Sequence, residues 1–418
     1  MPRLANDCFA ISENMISAQD ALNRIGKAVD QSVGIEKCTL ADSANRILAE
    51  TIYAPRNVPP ADNSAVDGYA FAYGDYEKNP QQFRMIVGRS AAGMPYQGQV
   101  SEVDAVKILT GAIMPKTLDS VAMIEDVQIE DDKVLLPLGL KPGANCRKAG
   151  EDITHGDLLL EKGTLLRPQE VGYLASIGLS DISVYRPVTV ALFSTGDELL
   201  NPGSPEFEGS IFDSNRMILA AILQAFGCQV TDLGILKDQL EIVGPALLRA
   251  SETHDLVITS GGVSMGDEDH VKNALVEIGR LNFWRIAIKP GRPLALGQIG
   301  DAAFVGLPGN PIAAMVCCLK FVRPLVAKLS GINRAPALSF QAHASFSLQK
   351  KPGRTEWLRG RYTPQSNRIG DIEKYHTDGS GVLSSMIWAN GLIELGDNVT
   401  QINQGDLVTY LPFSELMK

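Results

Sequence analysis

Residues 188–198 read VTVALFSTGDE and residues 255–263 read DLVITSGGV. Each is a β-branched, apolar run that stops in a loop of glycine, hydroxyl and carboxylate residues. Continuous apolar runs of this length are what strands buried on both faces look like. Working outward, QVTDLGIL (229–236), FWRIAIKPG (283–291) and AAFVGLPG (302–309) read as further strands. Between and after them lie helix-spaced segments: NRMILAAILQAFG (215–227), EIVGPALLRASE (241–252), HVKNALVEIG (270–279) and the long PIAAMVCCLKFVRPLVAKL (311–329). Ser214 is placed to cap the first of these helices and Gly227 to end it. Strand and helix in alternation predict a central, doubly wound, mostly parallel α/β domain over residues 187–331.

The flanks read differently. Residues 1–53 together with 153–186 predict a helical linker domain. Ser17 and Asp20 resemble a capping box before ALNRIGKAV, LADSANRILAE (40–50) follows with helical spacing, and RPQEVGYLASIG ends at Gly178. The prolines of PRNVPPADNS (55–64) break the pattern. Residues 54–152 then show short alternating stretches between Gly and Pro (FRMIVG, AVKILTG, SVAMIED, KVLLPL), which predicts a β-rich inserted domain. After Gly331 the chain turns Gly/Asn-rich and strand-like, so residues 332–418 predict a small, barrel-like β-domain. The whole is a multidomain α/β and β chain.

The 418 residues carry a formal net charge of −10, which disfavours nucleic acid as a partner. No apolar run reaches the roughly 18 residues that cross a bilayer, and MPRLANDCFAISEN has no apolar leader core. The six cysteines form no CxxC and read as buried free thiols of a reducing compartment. A cytoplasmic chain with no membrane partner is expected.

Open α/β sheets bind ligands beyond the carboxyl ends of their strands. There the sequence places STGDEL with Glu198, KDQ with Asp238, SGGVSMGDEDH with Ser260, Gly261, Gly262 and Asp269, and LPGNP with Pro308, Gly309, Asn310 and Pro311. Asn310 suits an N-cap and Pro311 the first helical position, so this helix start offers amides and a positive dipole end to an anion. Carboxylates facing a phosphate repel it unless a hard cation intervenes. Mg²⁺, which bridges carboxylates to phosphates, is therefore expected at Glu198, Asp238 or Asp269. Lys289 and Arg292, and from the last domain Arg354 and Arg359, are the candidate basic partners. Residues 262–266 fit GxSxG, but Ser264 sits inside a long acidic loop rather than on a sharp turn, against a nucleophile elbow. GxGxxG, GxxxxGK[ST] and HExxH are absent.

Taken together, DNSAVDGYA (62–70), LTGAIMP, RKAGEDI, STGDEL, FDSNR, SGGVSMGD, KPGRPLALG and GLPGNP resemble the motifs of the MoeA family, the molybdopterin molybdenumtransferases, in family order; the E domain of gephyrin is a relative. The resemblance implies four-domain subunits forming a homodimer, with a site between one subunit's α/β domain and the other's β-rich insert. It implies adenylylated molybdopterin and molybdate as substrates and insertion of molybdenum with release of AMP; for that chemistry we assign Mg²⁺ to Glu198 and Asp238. A molybdopterin adenylyltransferase and molybdoenzyme-maturation proteins are the implied partners. Carried over residue by residue, the catalytic positions fall on Asp67, Glu198, Asp238 and Asp269. The substrate-binding positions carried over are Thr110, Asp152, Lys289, Pro308, Pro311, Arg359 and Ser380; the strand-end reading adds Ser260, Gly261, Gly262, Arg292, Gly309 and Asn310 as substrate-binding candidates. Arg285 and Arg292 stand where the family commonly has Lys, and His270 where an aromatic is frequent. The alternatives are a Mg-dependent nucleotide pyrophosphatase of CinA type and a non-enzymatic scaffold module.

Overall fold

The computed structural model describes residues 15–29, 32–263, 270–332 and 337–417. The α/β sheet has strand order 229–236, 189–195, 256–260, 302–307, 293–299, 279–285. The first four strands run parallel; 293–299 is reversed and pairs antiparallel with both 302–307 and 279–285. Period-two alternation distributes each strand between two cores. Val190 and Leu192 face Leu219, Leu223 and Ile312 on one side. Ala191 and Phe193 face Val243, Leu247 and Leu275 on the other. Helices Asn215–Ala225 and Pro311–Cys317 thus cover one face, and Leu240–Thr253 and His270–Ile278 the opposite one. The long apolar segment is helical throughout but widens to a π-turn at Cys318–Val322 before resuming at Arg323–Leu329. Pro324 supplies no N–H and its ring crowds the carbonyl one turn back, and a wider turn relieves both.

The reading of 15–50 needs revision in part. Helix Ala18–Ala28 forms, and the Ser17 hydroxyl accepts from the Asp20 amide at 3.0 Å. Residues 40–50, however, are a 3₁₀ turn and a short strand, in a three-stranded sheet ordered 35–39, 181–185, 47–48. Asn45, at φ 64°, interrupts any helix there. The helical spacing arose because Leu40 and Leu48 enter one core with Leu166 and Leu174.

A six-stranded sheet within 68–135, ordered 120–123, 68–71, 104–108, 84–90, 133–135, 128–130, carries an apolar core on each face. Near the C-terminus, strands 355–363, 371–374, 340–344, 407–412 and 391–395 close into a five-stranded barrel. The α/β chain joins it directly: Ile288–Lys289 pairs in parallel with Thr355–Glu356. That pairing fixes Lys289 at the seam between the α/β sheet and the barrel. Among the described residues, no helix is long and apolar enough to cross a membrane.

Candidate functional site

A cleft of about 760 Å³ opens at the carboxyl ends of the parallel strands. It gathers Glu198, Asp238, Ser260, Gly261, Gly262, Lys289, Pro308, Gly309, Asn310, Pro311 and Ser380. Four loops far apart in sequence therefore converge where the sheet rule placed them. Asp269 lies outside the described residues.

Close backbone approach builds the floor. Gly261 has φ +90°, and a Cβ there would meet the Thr195 carbonyl oxygen at 2.4 Å. A Cβ on Gly309 would come within 3.9 Å of the Gly261 Cα, so the two loops lie against each other. Asn215 staples them. Its side-chain amide donates to the Ser260 hydroxyl at 2.8 Å and to the Gly309 carbonyl at 2.6 Å. Sequence reading quoted FDSNR but assigned Asn215 no role. An Asn just after the capping position, where its amide is free to leave the helix, was the available signal. The cap itself is also shifted: the Ser214 side chain makes no capping bond, and Asp213 Oδ1 accepts from the Arg216 amide at 3.1 Å.

Two of the backbone amides expected to receive an anion, those of Gly261 and Ile312, are already in use. The Gly261 N–H donates to the Leu307 carbonyl at 3.1 Å. At the helix start Pro311 has no N–H, Ile312 donates to the Ser380 carbonyl at 3.1 Å, and Ala314 closes on the Asn310 carbonyl at 2.9 Å. Asn310 is the N-cap by position, without a side-chain capping bond.

Asp238 Oδ1 is buried with no hydrogen-bond partner, and the Ser194 hydroxyl nearby in the lining is in the same condition. Burial pushes the Asp238 carboxyl above its ordinary value. The Thr195 hydroxyl and His270 pull it back, and Asp197 and Glu198 add to the rise. Lys289 is the cation of the cleft wall. Its ammonium lies 3.3 Å from Asp378 and 3.5 Å from the buried Glu356.

Arg359 is not on the cleft wall. It is 3% exposed and donates to the Ser385 hydroxyl at 3.0 Å, the Thr377 carbonyl at 2.7 Å and the Gly379 carbonyl at 3.3 Å. It holds from behind the loop that brings Ser380 forward. Arg292 is exposed and does not line the cleft. Asp67, Thr110 and Asp152 do not line it either. Asp67 Oδ1 accepts from both the amide and the hydroxyl of Thr110, each at 2.7 Å, which holds its carboxyl below the ordinary value. Asp152 lines a separate pocket of about 320 Å³ with Asn63, Arg147 and Glu151.

The chain is similar to known proteins along nearly its whole length. The family model for the MoeA N-terminal region (domains I and II) matches residues 16–178. One described as a probable molybdopterin binding domain matches 191–328, and the MoeA C-terminal region (domain IV) matches 341–413. The molybdopterin molybdenumtransferase of Haemophilus influenzae is 38% identical over 405 residues, covering 96% of this chain and 100% of that one. That of a Nostoc species is 32% identical over 415 residues, covering 95% and 94%. The solved molybdopterin biosynthesis MoeA protein of Pyrococcus horikoshii superposes with a TM-score of 0.82 at 28% identity, over 96% of this chain and all of that one.

Proposed function

Because the chain belongs to the MoeA family of molybdopterin molybdenumtransferases, enzymes of molybdenum cofactor biosynthesis, we propose that its cleft takes adenylylated molybdopterin and molybdate, releases AMP and inserts molybdenum. The observation that carries this reading is one cleft holding Glu198, Asp238 and Lys289 beside the Gly261 and Gly309 loops. A pyrophosphate-bearing pterin and an oxyanion need such a mixture of acidic and basic side chains.

The residues fit Mg²⁺. Asp238 offers a buried, unpartnered carboxylate oxygen and Glu198 a second carboxylate, both hard donors. Among the described residues no cluster of three or more His, Cys, Asp or Glu side chains is placed to hold a metal alone. Magnesium commonly completes its shell with water and substrate phosphate, so two carboxylates suffice. When bound, the ion would neutralise the pyrophosphate oxygens and make the phosphorus a better electrophile. The chain's own groups do the rest. Asn215 fixes the two loops against which the substrate packs. Lys289 supplies positive charge for the molybdate oxygens, and Arg359 sets Ser380 at the rim.

Asp67, Thr110 and Asp152 stand apart from this cleft, on the β-rich region. A homodimer in which the partner's β-rich region faces the cleft would bring them to it, with Asp67 orienting pterin or water. The assignment is tested by AMP release from adenylylated molybdopterin. Release should require both Mg²⁺ and molybdate, and Glu198→Ala or Asp238→Ala should abolish it without altering the elution volume of the dimer. Full activity in either variant would sink the assignment. Hydrolysis of ordinary dinucleotides without molybdate would favour the pyrophosphatase alternative; the full-length match to the transferases favours the proposed reaction.

A further inference from the structure

Lys289 is already paired. Its ammonium sits between Glu356, 2% exposed and at 3.5 Å, and Asp378 at 3.3 Å on the 377–381 loop. The two carboxylates have different supports. Glu356 lies on a barrel strand, and its other oxygen accepts from Arg354 at 2.8 Å. Asp378 lies on a loop and its other oxygen accepts from Lys374 at 2.7 Å. That loop reaches across from the barrel and also places its Ser380 carbonyl on the Ile312 amide. It thus occupies two of the positive features that the α/β domain turns toward the cleft.

Three cations and two carboxylates meet here, leaving a formal charge of +1. A tetrahedral dianion added beside Lys289 with Asp378 still in place would meet a like charge a few ångströms away, and that repulsion is costly in a partly buried site. Glu356 is fixed by strand pairing and burial. Arg359 and the Ile312 amide hold the loop backbone, but the Asp378 side chain is exposed and followed by Gly379, so that side chain is the part that can yield. We propose that Asp378 is a resident counter-ion, a specificity-determining residue that an incoming oxyanion must displace from Lys289. The inference rests on the reading that Lys289 receives the molybdate oxygens. Its consequence is a sign that a purely structural acid would not give: removing this negative charge tightens anion binding. It also favours dianions, which repel Asp378 about twice as strongly as monoanions do.

The test is calorimetric titration of the full-length protein with molybdate, tungstate and perrhenate, the last as a tetrahedral monoanion. Asp378→Asn should bind molybdate and tungstate about fivefold tighter or more, with a smaller gain for perrhenate. Asp378→Ser, which removes the second oxygen as well, backs up the amide variant if that one folds poorly. Lys289→Ala should lose molybdate binding in either background. Weaker or unchanged dianion binding in both Asp378 variants, with Lys289→Ala inactive in binding, overturns the counter-ion role and leaves the Lys289 reading standing. Retained binding in Lys289→Ala overturns that reading itself.

Discussion

The side-chain amide of Asn215 lies 2.8 Å from the Ser260 hydroxyl and 2.6 Å from the Gly309 carbonyl, so one residue at a helix start ties two strand-end loops together. Both acceptors belong to elements that the apolar pattern places but cannot bring into contact by itself. Asn215→Ala should strip the Gly309 carbonyl of this donor and leave the 2% exposed Ser260 only its 3.5 Å contact to the Pro308 carbonyl, at a cost of about 1–3 kcal/mol. Thermal unfolding measures the stability loss. Steady-state kinetics should show a raised KM for the pterin substrate, since the loops lose their mutual register before any reacting group is touched. Asn215→Asp should be worse than alanine, because a carboxylate would face the Gly309 carbonyl oxygen.

Asp238 is a carboxyl whose burial disfavours its charged form. Its carboxyl is raised by burial, so folding favours the neutral form more than the unfolded chain does. For such a group the stabilising contribution is complete below the unfolded pKa, near the ordinary 3.8, and is lost as pH rises through the higher folded value. At neutral pH, Asp238→Asn should therefore match or exceed the wild type in melting temperature while losing AMP release. The two proteins should converge as the pH is lowered. Chemical denaturation at a series of pH values checks the sign; a wild type that gains on the variant with rising pH would contradict it.

The opposite sign holds at Asp255. Burial alone would raise this carboxyl, but hydrogen bonds from both Arg186 terminal nitrogens at 2.7 Å and from the Thr189 amide and hydroxyl bring it down to about 2. The pair joins the end of the linker sheet to the first α/β strand. Its contribution is complete above the ordinary carboxylate value and lost as pH falls from there to about 2. Asp255→Asn should cost about 1–3 kcal/mol at neutral pH, because it weakens the charge-assisted hydrogen bonds of a buried carboxyl whose arginine partner stays one-third in water. Urea midpoints at pH 7 and pH 3 should differ far more for the wild type than for the variant.

The parallel half of the α/β sheet was legible because VTVALF and DLVIT are apolar on both faces, as strands sandwiched between helices must be. The strand Pro293–Ile299 was not, since Gly297 and Gln298 look like loop; Gly297 is there because a Cβ would meet the Arg280 carbonyl oxygen at 2.6 Å. The acidic and glycine loops of the cleft followed from strand ends alone. The fate of their amides did not. Whether Ile312 donates to a ligand or to Ser380 depends on a loop 68 residues away, and no local pattern encodes that contact. Nor does sequence show that Arg359 faces inward: LRG on a strand fits either face, and only the barrel's closure decides it.

Gly261 is a sharp probe of the floor. At φ +90°, with the Thr195 carbonyl 2.4 Å from where a Cβ would stand, alanine is excluded by backbone conformation and by a backbone contact that cannot step aside. Gly261→Ala should destabilise by at least about 2 kcal/mol. Gly203→Ala, also at positive φ but with open space around its Cβ, separates the conformational part from the clash. Equal losses in the two variants would show that no close approach operates at Gly261.

Arg359 carries the last prediction. Its guanidinium spends Nε on Ser385 and a terminal nitrogen on the Thr377 and Gly379 carbonyls, a planar fork that a single ammonium cannot reproduce. Arg359→Lys keeps the charge but should still free the 377–381 loop, with a stability loss of about 1–3 kcal/mol from the unsatisfied carbonyls. If Arg359 acts through the loop, Arg359→Lys and Arg359→Met should impair catalysis to a similar degree, because charge is not what they lack. Were Arg359 instead a direct anion ligand, lysine would preserve most of the molybdate affinity and methionine none. Molybdate titration of the two variants separates these outcomes. The buried position of Arg359, behind the loop and not on the cleft wall, favours the first.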